Sequence, residues 1–317
     1  MGIMKILEIN DYDYDQDTFA ITWEVTKNCS YKCRYCSIHD PNSIASYPEK
    51  IINIISYLNK IRKVKLTFFG GEPTDHPNFK EILLRLKKVN QLELYTNLSK
   101  SISYYQGINR IVPSIYLETS FHPSRSNFDT YLNKVVHLNK IYKRIICYLM
   151  LDTSYINSYK EQYNLLVQSG VETRILRVSF KDQTSLSTDM EEWCLSKGYG
   201  LGEKFSLTQR IRLTYEDKNK IKYLETDLNF LRKNNLTNFK LFKCWCGKKN
   251  IFISQDGGIY PCLDYYLNKE NPFATLSGDI EADMCSVKEI IAKPVVCKMD
   301  NCTSELSVPK KRILFRN

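Results

Sequence analysis

Short apolar runs with β-type composition alternate with amphipathic helical segments over the first two thirds of the chain. The runs that read as strands are Phe19–Val25, Val64–Phe69, Leu92–Thr96, Ile111–Thr119, Ile145–Leu151 and Thr173–Phe180. The segments with helical spacing are Pro48–Ile61, Asn78–Val89, Phe128–Leu138 and Ser158–Gln168. This alternation predicts βαβ units and a mostly parallel sheet. Six units are too few for a closed eight-stranded barrel, so we predict an α/β fold with a partial (β/α)6 barrel.

The pattern changes after residue 200. Residues 201–240 are polar and favour helix, whereas Lys249–Tyr260 contains two short β runs around Gln255-Asp256-Gly257-Gly258, which indicates a hairpin. Cysteines flank this hairpin on both sides. We therefore predict an N-terminal lead (1–18), a core domain (19–200), a helical connector (201–240) and a small cysteine-rich α+β subdomain (241–317).

The net charge, the lack of long apolar runs and the N-terminal sequence indicate where the protein is located. Among 317 residues, 45 lysines and arginines oppose 35 aspartates and glutamates, which gives a formal charge of +10. The surplus is spread along the chain, as is typical of a solvated surface. No window reaches the roughly 18 to 20 consecutive apolar residues of a membrane helix, and the acidic N-terminal segment does not resemble a signal peptide. We therefore expect a cytoplasmic protein.

Eleven cysteines in a chain with no export signal indicate metal or redox chemistry rather than a disulfide framework. Cys29, Cys33 and Cys36 follow the first predicted strand with the spacing C-x3-C-x2-C. Three thiolates this close can hold three corners of a cubane iron–sulfur cluster and leave the fourth iron open to a ligand. The alternative is a zinc site in which His39 supplies a further ligand.

The triplet, with Tyr35 directly before its last cysteine, resembles the cluster motif of the radical S-adenosylmethionine (SAM) enzymes. The next landmark of that family is a Gly-Gly-Glu segment at the end of the second strand, and Gly70-Gly71-Glu72 matches it in residue type, order and position. The resemblance implies that Tyr35 packs near the adenine of SAM. It also implies that backbone groups of the Gly-Gly-Glu segment meet the methionyl ammonium.

Two weaker matches stand at the ends of the next strands. Thr96 and Asn97 lie where the family often has a Thr-Asn pair that contacts SAM, and Ser120 lies where a serine often meets the ribose or carboxylate. An ordinary strand-end cap explains these residues equally well.

The resemblance also implies a reaction and its cofactors. A [4Fe–4S] cluster on Cys29, Cys33 and Cys36 would bind SAM at its open iron and receive an electron from a donor such as flavodoxin or ferredoxin. SAM then splits into methionine and a 5′-deoxyadenosyl radical, which takes a hydrogen atom from the substrate. The cofactor supplies the difficult chemistry, and the protein orients it and excludes water.

Six further cysteines lie in the C-terminal part. The stretch from Cys246 to Cys262, in which ten residues separate Cys246 from Gly257, resembles the auxiliary-cluster subdomains called SPASM and twitch. The full SPASM pattern includes a C-x2-C-x5-C-x3-C run that is absent here, so we expect a single auxiliary [4Fe–4S] cluster. Its expected ligands are Cys246, Cys262, Cys297 and Cys302, with Cys244 as a substitute. A zinc ribbon and two incompletely ligated clusters are the alternatives.

Cys285 is left over from this ligand set. Peptide epimerases of the superfamily use a spare thiol as a hydrogen-atom donor, and that is the catalytic role we predict for Cys285; an unused cysteine is the plainer explanation. An alanine variant that keeps full product formation would exclude the donor role.

Taken together, the motifs predict a radical SAM oxidoreductase-type enzyme that modifies a ribosomal peptide by crosslinking, dehydrogenation or epimerisation. The alternative substrate is a small molecule such as an aminosugar or nucleoside. A remote alternative is a non-enzymatic, zinc-stapled protein that binds nucleic acid, for which the positive charge and 22 tyrosines are the support.

Overall fold

The computed structural model describes residues 5–11, 17–36, 38–40, 42–43, 48–178, 186–197, 210–217, 220–227, 230–231, 234–302 and 308–313. The chain divides into two compact units. The core unit is Thr22–Gly202, and the split unit combines Met1–Ile21 with Glu203–Asn317. Among the described residues, none of the helices has the length and hydrophobicity needed to cross a bilayer.

The described elements follow in chain order. The strands are β1 (Lys5–Asp11), β2 (Thr18–Thr26), β3 (Lys63–Gly70), β4 (Gln91–Thr96), β5 (Tyr116–Phe121), β6 (Ile145–Leu151), β7 (Glu172–Arg177), β8 (Arg210–Asp217), β9 (Lys220–Asp227), β10 (Phe242–Cys244), β11 (Asn250–Ile253), β12 (Gly258–Tyr260), β13 (Ala274–Thr275), β14 (Val295–Val296) and β15 (Lys310–Arg312). The α-helices are α1 (Glu49–Ile61), α2 (Phe79–Leu86), α3 (Ile102–Ile111), α4 (Phe128–Asn139), α5 (Tyr159–Gln168), α6 (Thr188–Ser196), α7 (Leu263–Leu267) and α8 (Ile280–Ala292).

The core unit is a βα alternation. Its strands are adjacent in the order β2-β3-β4-β5-β6-β7, and each neighbouring pair from β3 to β7 is parallel. Helices α1 to α5 lie in sequence between successive strands. Parallel neighbours require such crossover helices. The predicted α/β class with a mostly parallel sheet is confirmed for this unit.

Apolar residues at alternate strand positions pack against the helices. Phe68 of β3 lies edge-on to Phe79 of α2, with ring centroids 5.4 Å apart. Helices α3 and α4 begin at side-chain caps, because Ser101 and Asn127 accept backbone N–H groups in the first turn. Alternation then directs the intervening polar residues, such as Glu118, to the opposite face of the sheet.

The structure differs from the sequence prediction at one strand of the core unit. The run from Ile111 was predicted as a strand, but Ile111 ends α3 and the strand begins at Tyr116. Pro113 lies between them, where it can continue neither element. The last predicted strand is observed as β7, and residues 179–180 of that prediction fall outside the described part of the chain.

The split unit contains an antiparallel sheet with the strand order β14-β10-β15-β1-β8-β9. The predicted helical connector is wrong where the structure describes it, because β8 and β9 pair there as a hairpin. Ile211 and Leu213 are fully buried, whereas Arg212 between them is exposed. This period of two is typical of a half-buried strand.

The hairpin predicted after Cys246 is present. β11 and β12 pair antiparallel, with Phe252 opposite Tyr260. Gly257 has a φ of +91° in the turn, a left-handed conformation that favours glycine. The hairpin therefore separates two of the predicted ligands in sequence and returns the chain to Cys262.

Candidate active site

The cysteine triplet lies on the loop that follows β2. Cys29 and Cys33 are half-buried, and Cys36 is exposed. The backbone N–H of Tyr31 donates to Cys29 Sγ at 3.3 Å, and the side-chain amide of Asn97 donates to the same sulfur at 3.6 Å. Burial raises the pKa of Cys29 to about 12, so loading this site with metal must release a proton.

The Gly-Gly-Glu segment packs directly against the start of this loop. Gly71 N–H donates to Thr26 O at 2.7 Å, and Glu72 N–H donates to Asn28 O at 2.8 Å. A Cβ on Gly70 would lie 2.3 Å from Thr26 O, and one on Gly71 would lie 2.2 Å from Asn28 O. The two glycines are therefore required for close contact between two backbone segments, which holds the cysteine loop in place.

Glu72 connects the ends of β3 and β4. Its carboxylate is buried and accepts hydrogen bonds from Thr74 Oγ1 at 2.6 Å, Thr96 Oγ1 at 2.9 Å and Asn97 N–H at 2.7 Å. Burial raises the pKa of Glu72 although these donors oppose the shift. Glu72 and Thr96, both predicted as SAM contacts, thus bond to each other within the protein. Asn97 extends this network to Cys29.

Asp75, which follows the Gly-Gly-Glu segment, also anchors the cysteine loop. Its carboxylate accepts Ser30 N–H at 2.7 Å and pairs with Lys100 at 2.6 Å. Sequence reasoning did not single out Asp75. Its position three residues after Glu72 was the one available signal.

His122 is a second residue that sequence reasoning did not assign to the site. The Tyr35 hydroxyl lies 2.6 Å from His122 Nδ1, and Cys33 Sγ lies 3.6 Å from the same nitrogen. The Tyr35 and His122 rings are also stacked. Burial lowers the pKa of His122 to about 4, so the ring is neutral at pH 7 and its Nδ1 atom shares a hydrogen bond with the Tyr35 hydroxyl. Tyr35 thus orients the end of β5 against the cysteine loop.

Ser120 and Glu118 share the face of β5 that is opposite the helices. Ser120 is half-buried near the carboxyl end of the strand, and Glu118 is 5% exposed. Burial, followed by the nearby Glu93, raises the pKa of Glu118 to about 7, and the interaction with the Tyr148 hydroxyl opposes this shift. This face therefore presents a buried, mostly desolvated carboxyl group next to the strand end that carries Ser120.

Glu118→Gln is expected to stabilise the protein at pH 8 more than at pH 5. The folded state binds the Glu118 proton more tightly than the unfolded state, so its stability contribution is full below about pH 4.5 and is lost as the pH rises through about 7. Each tenfold change in proton affinity corresponds to about 1.4 kcal/mol, which limits the gain to the order of 3 kcal/mol. Unfolding temperatures of both proteins from pH 5 to pH 8 measure it.

Glu161→Gln is the control for this experiment, because Glu161 is exposed on α5. We expect it to leave the unfolding temperature unchanged at every pH. A difference between Glu118→Gln and the wild type that stays constant from pH 5 to pH 8 would contradict the assignment.

Five C-terminal cysteines come together in the core of the split unit. These buried residues are Cys244, Cys246, Cys262, Cys297 and Cys302. They arrive on separate segments: the end of β10, the loop after it, the residue before α7 and the segment after β14. Backbone hydrogen bonds fix these segments, including Cys297 N–H to Phe242 O at 2.8 Å and Cys302 N–H to Thr237 O at 2.9 Å. The structure therefore gathers the four predicted ligands and their substitute.

Cys285 is not in this group. It is exposed on α8. Its predicted role as a hydrogen-atom donor stays a prediction.

A charged side chain accompanies the buried cysteines. Lys310 of β15 is 1% exposed and lies opposite Cys244 of β10 in the sheet register. Cys302, Cys244, Cys246 and Cys297 raise the pKa of Lys310 against the opposing effect of burial. The pKa of Cys244 is lowered, first by the hydrogen bond with Cys246 and further by Lys310.

Both cysteine sets supply thiol donors, which bind iron–sulfur clusters and zinc alike. The Tyr31 N–H group aimed at Cys29 Sγ favours the thiolate form of that residue. The residues therefore fit an iron–sulfur cluster, and the zinc alternatives stay predictions.

Comparison with known proteins agrees with this site. Residues 23–115, which contain the cysteine triplet and the Gly-Gly-Glu segment, match the Radical SAM superfamily. No curated protein matches the chain significantly in sequence.

Several solved structures are similar to the chain. Streptococcus suis SuiB bound to S-adenosylmethionine is 12% identical, with a TM-score of 0.53 over 87% of this chain and 68% of that chain. SuiB bound to its precursor peptide SuiA is 13% identical, with a TM-score of 0.55 over 87% and 67%. BtrN in complex with AdoMet and 2-DOIA is 12% identical over 88% and 87%, but its TM-score of 0.44 is too low to support an argument.

At these identities the similarity to SuiB shows a common fold and does not extend to substrate. The family match covers the part of the core unit that holds the cysteine loop. The cysteine triplet lies within the matched residues. Residues 23–115 of this chain are therefore similar to the Radical SAM superfamily, and the chain shares its fold with SuiB.

Proposed function

We propose that this protein is a radical SAM oxidoreductase of the SPASM or twitch type that oxidatively modifies a ribosomal peptide. The observation that carries the proposal is the second cysteine set, because five buried thiols in one core exceed what a protein with a single cluster needs. Two-electron oxidation of a substrate requires an acceptor for the second electron, and an auxiliary cluster is such an acceptor. The crystallised complex of SuiB with a precursor peptide supports a peptide as the substrate.

In the core unit, Cys29, Cys33 and Cys36 would hold the first cluster. When bound, the cluster and SAM supply the radical that abstracts hydrogen. The protein's own residues position this site: Asn97 and the Tyr31 N–H group bond to Cys29. We further propose that strands β2 to β7 form the partial barrel of the family, with SAM at the strand ends near Gly70, Gly71 and Ser120.

The N–H groups of Gly71 and Glu72 are already bonded to backbone carbonyls. An ammonium group is a donor and needs acceptors, so it would meet carbonyl oxygens of this segment. The Glu72 carboxylate would act indirectly, because it fixes Thr96 and Asn97. Tyr35 and His122 would exclude water from one side of the site, since their rings stack and His122 Nδ1 lies 3.6 Å from Cys33 Sγ.

In the split unit, four of the five buried cysteines would hold the auxiliary cluster. The wild-type protein, reconstituted anaerobically with iron and sulfide, is expected to carry about eight iron atoms, and a Cys29/Cys33/Cys36→Ala triple variant about four. Iron and sulfide analysis, with EPR of the reduced samples, checks both values. A triple variant that holds no iron would contradict the auxiliary cluster.

The substrate is tested with the peptide encoded by the short reading frame nearest to the gene. We expect the reconstituted enzyme, SAM and a strong reductant to remove two hydrogen atoms from this peptide, as seen by mass spectrometry, and to form 5′-deoxyadenosine. Formation of 5′-deoxyadenosine with an unchanged peptide would contradict the substrate and leave the radical SAM activity intact.

A further inference from the structure

Lys310 is the one lysine or arginine that is buried among the residues the structure describes. Moving an ammonium group out of water is costly unless anionic groups compensate its charge. Lys310 Nζ donates to Val308 O at 2.9 Å and lies 5.1 Å from the centre of the Phe239 ring. A carbonyl oxygen and an aromatic face solvate a cation but do not neutralise it.

The anionic groups of this core include the cysteine thiolates and the buried carboxylate of Asp264, whose charge acts on Cys244 and Cys302. Lys310 stands opposite Cys244 in the β10–β15 register, and the electrostatic influences on its side chain include four of the five buried thiols. The adjacent residue, Lys311, is exposed on the same strand. Lys310 is thus buried beside the cysteines, whereas Lys311 next to it is exposed to solvent.

Given the auxiliary cluster of the proposed function, on which this inference rests, we propose that Lys310 is the counter-cation of that cluster and raises its reduction potential. Reduction adds one negative charge to a cluster that four thiolates already make anionic. A fixed cation at short range in a low-dielectric core stabilises the reduced form more than the oxidised form. Lys310 therefore acts on the cluster through its positive charge, which makes the cluster a better electron acceptor.

The test uses the full chain with Cys29, Cys33 and Cys36 replaced by alanine, so that only the auxiliary cluster is observed. In this background, Lys310→Met removes the charge and keeps the side-chain length, Lys310→Arg keeps the charge, and Lys311→Met is the matched control. Redox titration followed by EPR gives the midpoint potential of each protein.

We expect Lys310→Met to lower the equilibrium constant for reduction at least tenfold, which is about 59 mV for a one-electron couple. Lys310→Arg should retain most of the parent potential, and Lys311→Met should leave it unchanged. A Lys310→Met protein that holds its cluster at the parent potential would overturn the inference.

The experiment distinguishes failure of the proposed auxiliary cluster from failure of the proposed role of Lys310. A parent protein without any cluster would refute the auxiliary cluster itself, before Lys310 is considered. If Lys310→Met does not bind the cluster, the result for Lys310→Arg is decisive. A Lys310→Arg protein that binds the cluster at a midpoint potential near the parent value supports the role of Lys310 as counter-cation. Failure of both variants to load would mean that the shape of the lysine matters for packing, and the inference would be wrong.

Discussion

Replacing Cys33 with alanine is expected to abolish formation of 5′-deoxyadenosine from SAM. The proposed cluster of the core unit would have three protein thiolates, so removal of one would leave a second iron without a protein ligand. The other described cysteines of this unit cannot replace it. Cys147 is fully buried and its thiol lies 3.1 Å from the Tyr131 hydroxyl, and Cys194 is also fully buried. Chromatographic measurement of 5′-deoxyadenosine in reconstituted protein with SAM and dithionite gives the result.

Ser114→Ala is the control for this prediction, because it removes a small exposed side chain from a loop of the same unit. We expect it to keep the iron content and the SAM cleavage of the wild type. The auxiliary iron should persist in Cys33→Ala, which separates loss of one cluster from unfolding. Undiminished 5′-deoxyadenosine from Cys33→Ala would mean that the triplet is not the site of SAM cleavage.

Gly71→Ala is expected to destabilise the core unit by about 3 kcal/mol, because overpacking against rigid backbone costs this much. The new methyl group would lie 2.2 Å from Asn28 O and 2.7 Å from Lys27 O. The segments must then separate, which weakens the bonds from Gly71 to Thr26 and from Glu72 to Asn28. We expect the unfolding temperature to fall by roughly 5–10 °C and the iron content of the first cluster to fall with it.

Gly107→Ala is the matched control. A Cβ on Gly107 would meet only the end of the flexible Lys80 side chain, with Nζ at 3.1 Å. Gly107 lies within α3, where alanine is favoured over glycine by about 1 kcal/mol. This variant should be neutral or stabilising. Equal unfolding temperatures for the two alanine variants would show that the tight contact at Gly71 is not real.

Patterns within short windows of sequence correctly predicted several strands and one hairpin. The apolar runs before the cysteine triplet and the Gly-Gly-Glu segment are β2 and β3, and the turn around Gly257 is a hairpin as predicted. The β8–β9 hairpin was missed because its strands bury few side chains, and one of them pairs with β1 from the opposite end of the chain. Nothing within a short window of sequence reports such a partner.

The candidate site also combines residues that a local motif reveals with residues that only the fold brings together. Cysteine spacing pointed to the first set of thiols, since its members share a loop, and the pattern around the hairpin from Cys246 to Cys262 pointed to the second set. The role of His122 depends on a hydrogen bond to Tyr35, 87 positions away. Lys310 looks like its exposed neighbour Lys311 in sequence, and only the fold of the split unit buries it. The placement of His122 and the burial of Lys310 depend on contacts between residues that are far apart in sequence, so no local motif reveals them.

The discontinuity of the split unit sets an order of events during synthesis. β1 lies between β15 and β8 in its sheet, so β1 must wait for the synthesis of β15, about 300 residues later, before both of its edges are paired. The core unit is continuous and can fold while the ribosome is still translating the rest. Insertion of iron at the proposed C-terminal site would thus be a late maturation step, and a chain that stalls before this segment would carry the N-terminal cysteine loop without the proposed second metal centre.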